Sequence, residues 1–254
     1  MSEFLFFRIL LFASLITALG IFVALFFVSA PYGRHTRSGW GPGLPNWLGW
    51  MLMESISAIA FILLFYMGEA PRSPVTLVFL LLWEVHYVQR AFIYPFLMRS
   101  RRKTMPLAIP LMAAVFNLGN AYINGRYLFH FSAGRYTADW LHDPRFIIGL
   151  LLFAAGFIIN RRADRRLHRL RQRGEVGYSI PYGGLYRCIS CPNYFGEILE
   201  WAGWAIATWS LPGLAFALWT AANLAPRARS HHRWYHDHFP DYPAERKALI
   251  PGLW

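Results

Sequence analysis

Long apolar runs recur along this chain between short polar stretches, with the lengths expected of membrane-crossing helices. A helix needs about 20 largely apolar residues to cross the hydrocarbon, and Ile9–Ala30 supplies such a run without a charge. Further runs at Trp47–Gly68, Pro74–Met98, Pro106–Phe129, Arg145–Asn160, Asn193–Leu211 and Gly213–Ala225 bring the predicted spans to seven. The first is too long for a signal-peptide core and lacks a small-residue cleavage site before Pro31, so it reads as a retained span. Pro212, between the last two, is expected at either a tight turn or a kink, because proline removes a backbone donor. The fold class predicted is an all-α integral membrane protein of seven transmembrane helices, one membrane domain over residues 1–254.

Composition agrees with that pattern. Of the residues, 56% are hydrophobic and 15% charged, against roughly a quarter charged in soluble domains. Disordered, collagenous and disulfide-rich classes are excluded. With 25 Lys and Arg against 13 Asp and Glu the chain carries a net +12, yet nucleic acid is not an expected partner. That charge would have to lie on one soluble face, and the apolar runs leave none. Instead the basic residues fall in alternate loops: Arg34 and Arg37, then Arg99–Lys103, then the arginine run Arg161–Arg173, then a tail with Arg227, Arg229, Arg233, Arg246 and Lys247. Lys and Arg collect on the cytoplasmic side, which predicts N-terminus out and C-terminus in, in a bacterial inner membrane or the endoplasmic reticulum. The stretch RRADRRLHRLRQR suits anionic lipid headgroups, and equally a cofactor with several phosphates.

Ionisable side chains at membrane depth are costly and point to function. Glu54, Glu84, Arg90 and Glu197 qualify. Trp83, Tyr87, Arg90 and Tyr94 share one helical face, as do Asn117, Asn120 and Asn124. For the asparagines, hydrogen-bonded glue between helices is the favoured reading. For Glu54 it is not. A lone carboxyl in an apolar span is most cheaply accommodated as the neutral acid, which can donate a hydrogen bond, and a tyrosine hydroxyl beside it would complete a two-donor grip on a carbonyl oxygen.

Three motif-like signals carry little. Cys188 and Cys191 form CISC without a second pair for a four-thiolate site, on the side where disulfides rarely persist. The tail SHHRWYHDHF brings together His231, His232, His236 and His238, but the remaining histidines are scattered singletons, so no metal is expected. GPGLPN lacks the third glycine and the strand–helix context of a dinucleotide fingerprint.

Five segments together resemble the steroid 5α-reductase family: YGRHT at Tyr32, VHYVQRAFIY at Val85, GEVGYSIPYGGLY at Gly174, NYFGEILEWAGWAIATWSLPGLAFAL at Asn193 and RSHHRWYHDHFPDYPAERKALIP at Arg229. The resemblance runs from about Tyr32 to the C-terminus and is densest from Asn160 onward. It implies a seven-helix membrane enzyme that transfers hydride from NADPH to C5 of a 3-oxo-Δ4-steroid. The glutamate and tyrosine that hold the ketone in that family match Glu54 and Tyr87, the former already singled out by its depth. The resemblance also implies NADPH contacts at Arg34, Arg101, Asn160, Asp164, Arg171, Tyr178, Asn193, Glu197, Arg227, His231 and Tyr235. Trp50, Phe116 and Trp201 would line the sterol slot, core packing being the competing role for any tryptophan in so apolar a chain. A division follows, with residues 1–130 as the steroid half and 144–254 as the NADPH half. Met53, Met98, Met112, Ser179 and Asn223 depart from the family's pattern and bear on substrate range. The expected partners are a steroid or related lipid and membrane lipids, with the chain a monomer. The nearest rival is a reductase of another conjugated lipid, polyprenal or trans-2-enoyl. A methyltransferase of related architecture has no use for Glu54 and Tyr87, and a transporter would show paired repeats with broken helices.

Overall fold

A computed structural model of the chain describes residues 1–28, 39–97, 103–172 and 178–254, excluding the side chains of 171 and 172. Its helices are α1 (Glu3–Phe27), α2 (Asn46–Met67), α3 (Pro74–Val88), α4 (Tyr94–Leu97), α5 (Ala108–Arg126), α6 (Pro144–Gln172), α7 (Pro192–Thr208) and α8 (Leu211–His238). A π-helical turn, Gln89–Ile93, joins α3 to α4, so the chain stays helical from Pro74 to Leu97. Another, Tyr127–Phe131, extends α5. Among the described residues four segments are long and apolar enough to cross a membrane: Glu3–Phe27, Asn46–Met67, Pro74–Leu97 and Pro144–Leu170.

The helices differ from the sequence expectation at their ends, for identifiable reasons. α1 begins at Glu3 rather than Ile9, because Arg126 takes the Glu3 carboxylate in a two-pronged ion pair at 2.6 Å. The basic run continues α6 as far as Gln172. Pro212 marks a turn: Trp209 ends α7 at φ 45°, and the Ser210 hydroxyl caps α8 by accepting from Gly213 N. Pro then sits in the first turn of a helix, where its missing N–H costs nothing. α8 next runs through Pro226 to His238, well past the predicted end at Ala225. A small antiparallel sheet was not foreseen. β1 (Gly43–Pro45) pairs with β2 (Thr104–Pro106), Leu44 opposite Met105, and Asn46 N donates to Lys103 O.

The chain divides into two compact units, one of Met1–Phe12 and Pro31–Ile147, the other of Ala13–Ala30 and Ile148–Trp254. In the first, β1 and β2 hold the starts of α2 and α5 together, and Gly125 packs on Leu64 and Phe61, so α2 and α5 run parallel. The core here is aromatic: Phe61 stacks on Trp83 at 4.2 Å and meets Phe129 edge-on. In the second, α6 and α7 are antiparallel and closely apposed. Gly149, Gly156, Gly196 and Gly203 line the contact, and a Cβ on any of them would run into the opposite backbone, at Ala207, Glu200, Asn160 and Phe153 respectively. Beyond α8 the tail returns: Ser190 N donates to Lys247 O and Cys191 N to Ala248 O.

Candidate functional site

In the first unit, α2 and the Pro74–Leu97 segment run antiparallel. Trp50 contacts Tyr94 at 5.2 Å and lies under the Arg90 guanidinium at 4.6 Å, while Phe61 stacks on Trp83. These contacts bracket Glu54 on one helix and Tyr87 on the other, and their register sets Tyr87 opposite Ser57, about one turn along α2 from Glu54. Tyr87 is buried, its ring tilted on Trp83 at 5.1 Å and met edge-on by His86 at 5.0 Å. Such packing fixes the ring and therefore the direction of the phenol. Glu54 receives a hydrogen bond from Asn117 Nδ2 at 3.3 Å; the same nitrogen donates to Met53 O at 2.6 Å. The asparagine stripe is thus glue at Asn117, whereas Asn124 bonds back to Asn120 within its own helix. Phe116, next to Asn117, is half-buried. Glu84 is half-buried too, with an Oε1 that makes no hydrogen bond among the described residues.

In the second unit the glycine contact carries a polar cluster at the end where α6 leaves its apolar stretch and α7 begins. Asn160 and Asp164, one turn apart on α6, meet Asn193 and Glu197, one turn apart on α7. Asn160 Nδ2 donates to Asn193 O at 3.0 Å and to Glu197 Oε2 at 3.3 Å; Asn193 Nδ2 donates to Asp164 Oδ1 at 3.4 Å. The next residue on α7 reaches α8: Tyr194 Oη lies 3.0 Å from Arg227 Nη2 and 3.1 Å from His231 Nε2, and Arg227 also donates to Asn223 Oδ1 at 3.0 Å. Six of the predicted contact residues therefore converge, joined by Tyr194, which the sequence reading passed over.

Tyr178 meets Trp234 edge-on at 5.1 Å, and Tyr235 stacks on Tyr242 in a small core with Ile180. A lock of three side chains closes this region. Ser190 Oγ lies 2.6 Å from both His232 Nδ1 and Tyr242 Oη. Burial is the main cause that raises the Tyr242 hydroxyl above the ordinary tyrosine range, and burial with the charges of His236 and Lys247 holds His232 down at about 4. His232 is then a neutral acceptor for the Ser190 hydroxyl, which accepts in turn from Tyr242. Trp201 is fully buried among Phe216, Trp204 and Phe153 of its own unit, whereas Trp50 and Phe116 belong to the first. Arg34, Arg101, Met98 and the side chain of Arg171 lie outside the described residues. Among those described, no three of His, Cys, Asp and Glu are grouped to hold a metal ion; Cys188 is free and exposed, Cys191 free and buried.

The donor set suits a dinucleotide phosphate. The amides and carboxylates of Asn160, Asn193, Asp164 and Glu197 offer donors and acceptors together, as a carboxamide and sugar hydroxyls require. Arg227 and His231 offer positive or donor-rich groups for phosphate oxygens.

Comparison with known proteins bears on the same regions. A family model described as 3-oxo-5-alpha-steroid 4-dehydrogenase matches residues 103–254. The chain is 43% identical over 243 residues to a protein of Gossypium hirsutum named steroid 5-alpha-reductase DET2, with 94% of each chain covered. It is 44% identical over 243 residues to the 3-oxo-5-alpha-steroid 4-dehydrogenase 1 of Bos taurus, with 93% of each covered. To that of Homo sapiens it is 44% identical over 225 residues, covering 87% of this chain and 85% of the human one.

Proposed function

The chain belongs to the 3-oxo-5-alpha-steroid 4-dehydrogenase (steroid 5α-reductase) family, and on that premise we propose that it is an NADPH-dependent membrane oxidoreductase acting on a CH–CH group, the Δ4,5 bond of 3-oxo-Δ4-steroids. The observation that supports the reading is the packing of α2 against α3, which brackets Glu54 and Tyr87 within about one helical turn of each other in an apolar bundle.

An isolated C=C accepts hydride poorly. Conjugation to the C3 ketone makes C5 electrophilic, provided negative charge can develop on the carbonyl oxygen. The neutral carboxyl of Glu54 and the hydroxyl of Tyr87 both donate to that oxygen, and donors fixed in advance in a water-poor site hold the developing charge without reorganisation. NADPH, when bound, supplies the hydride that C5 accepts. C4 then takes a proton from water as the enolate returns to the ketone, leaving the 5α-reduced 3-oxosteroid. On the cofactor side Arg227 and His231 hold phosphate, and Asn160, Asn193, Asp164 and Glu197 hold the carboxamide and hydroxyls. Arg34, Arg101 and Arg171 add phosphate contacts, while Tyr178 and Tyr235 flank the cofactor. Trp50 and Phe116 offer flat apolar faces to the sterol.

The same reading makes the chain a multi-pass membrane protein of seven spans with the C-terminus cytoplasmic. α5 supports it: its 19 residues reach about 28 Å at 1.5 Å each, close to the hydrocarbon thickness, and it runs parallel with the candidate span α2.

Product analysis tests the function. Detergent-purified protein is given NADPH deuterated at the transferring position with testosterone, progesterone, androstenedione or a trans-2-enoyl lipid. Deuterium at C5 on the α face is the expected result. Turnover of the enoyl lipid alone, with NADPH bound, would replace the steroid reading.

A further inference from the structure

Asn117 makes two hydrogen bonds from one nitrogen, and the first decides how the second must be read. Nδ2 lies 2.6 Å from the Met53 carbonyl oxygen and 3.3 Å from Glu54 Oε2, on a side chain only 5% exposed. A backbone carbonyl accepts and never donates, so the amide must turn its NH₂ rather than its oxygen towards Met53. The NH₂ has two protons. One goes to Met53 O, and the other is directed at Glu54.

The environment of Met53 O supports that assignment. This carbonyl is the helix partner of Ser57 N and the usual back-bonding acceptor for a serine one turn on. Ser57 Oγ, fully buried, makes no hydrogen bond among the described residues. The second lone pair of the carbonyl is the one Asn117 uses.

Because Asn117 donates to it, Oε2 must present a lone pair there and cannot hold the acid proton in that direction. Resting on the reading of Glu54 as the acid that holds the substrate ketone, we infer that Asn117 is a positioning residue that assigns the two oxygens of Glu54 their roles. Oε2 accepts from Asn117, and Oε1 carries the proton and donates to the ketone. The last torsion of a glutamate is broad and two-fold, so without a fixed donor the carboxyl samples both orientations and presents its proton to the ketone only part of the time. At 3.3 Å the bond is long for an N–H···O contact, which fits a part in orientation more than in stability.

Asn117→Leu removes the donor at similar size, and Asn117→Ala removes it with less bulk. Each is made alone and in a Glu54→Leu background, which leaves no polar head for Asn117 to hold, and assayed with NADPH and testosterone. Each single variant should lose kcat by about ten- to hundredfold, the scale of a misplaced catalytic group, with the NADPH Kd essentially unchanged. In the Glu54→Leu background either should cost less than about threefold more, since a residue that acts through Glu54 has nothing left to orient. Losses that multiply, or wild-type kcat in Asn117→Leu, overturn this inference while leaving the function intact. Wild-type turnover in Glu54→Leu alone overturns the underlying reading of Glu54 instead. Should the leucine variant fail to fold, the alanine variant carries the same test, compared with wild type at matched thermal midpoint.

Discussion

On the proposed mechanism Glu54 and Tyr87 share one task, so their substitutions should resemble each other. Glu54→Gln and Tyr87→Phe are each expected to lower kcat by roughly one to three orders of magnitude, the range for a weakened or lost oxyanion donor, with NADPH binding retained. Steady-state kinetics beside a binding titration separate the two effects, and wild-type turnover in both variants would remove the mechanism. Tyr194 belongs to the proposed cofactor side instead. Tyr194→Phe deletes the oxygen that Arg227 and His231 share and should raise the NADPH Kd about two- to tenfold, the worth of a hydrogen bond, with kcat at saturating NADPH unchanged. His232 sets a pH dependence outside the membrane. Held at about 4 against the usual 6.5, it stays neutral in the fold while the unfolded chain takes a proton. Stability is therefore full above about 6.5 and falls as the pH drops towards 4. The thermal midpoint in detergent should fall less steeply between those values for His232→Gln than for wild type; equal slopes would assign the fall elsewhere. Glu54 was legible because a carboxyl interrupts an apolar run. Tyr194 was not, because one more aromatic in a chain that is 18% aromatic carries no signal until a second helix places an arginine on it.

Elements were legible where periodicity decides them and not where tertiary contacts do. The apolar runs located most of α2 and the Pro74–Leu97 segment, since composition alone separates hydrocarbon from water there. The ends needed partners that lie far along the chain: Arg126 for the start of α1, and the Ser190 lock for the far end of α8, where the helix runs on past a proline. The close apposition of α6 and α7 was written as glycine spacing. Gly149 and Gly156 on α6, and Gly196 and Gly203 on α7, are each seven residues apart and so share a face. Their absence of a Cβ lets Asn160 reach Asn193 and Glu197. Gly156→Ala places a methyl against Glu200 backbone, and it should lower stability by about 1–3 kcal/mol, as overpacking does, and weaken NADPH binding as the polar cluster is spread. Denaturation in detergent and a cofactor titration check both effects. An unchanged midpoint would mean that α6 and α7 separate at no cost.

At the largest scale the joins within the first unit are compatible with the proposed alternation of the basic loops. β1 and β2 join the starts of α2 and α5, the Glu3–Arg126 pair joins the start of α1 to the end of α5, and α2 runs against the segment that follows it. If α1 starts outside, each of these joins falls on one side of the membrane, and α6 ends inside with its arginines. Cys188 lies between α6 and α7 and is exposed, while Cys191 is buried, which makes the first a natural reporter of the side. A membrane-impermeant maleimide should label inside-out vesicles at Cys188 and leave right-side-out vesicles unlabelled, with Cys188→Ser abolishing the signal. A tag placed before α1 should show the opposite protection. Labelling of Cys188 from the outer face would invert the topology and put the proposed NADPH contacts on the side where the reduced cofactor is absent, so the orientation and the choice of cofactor stand or fall together.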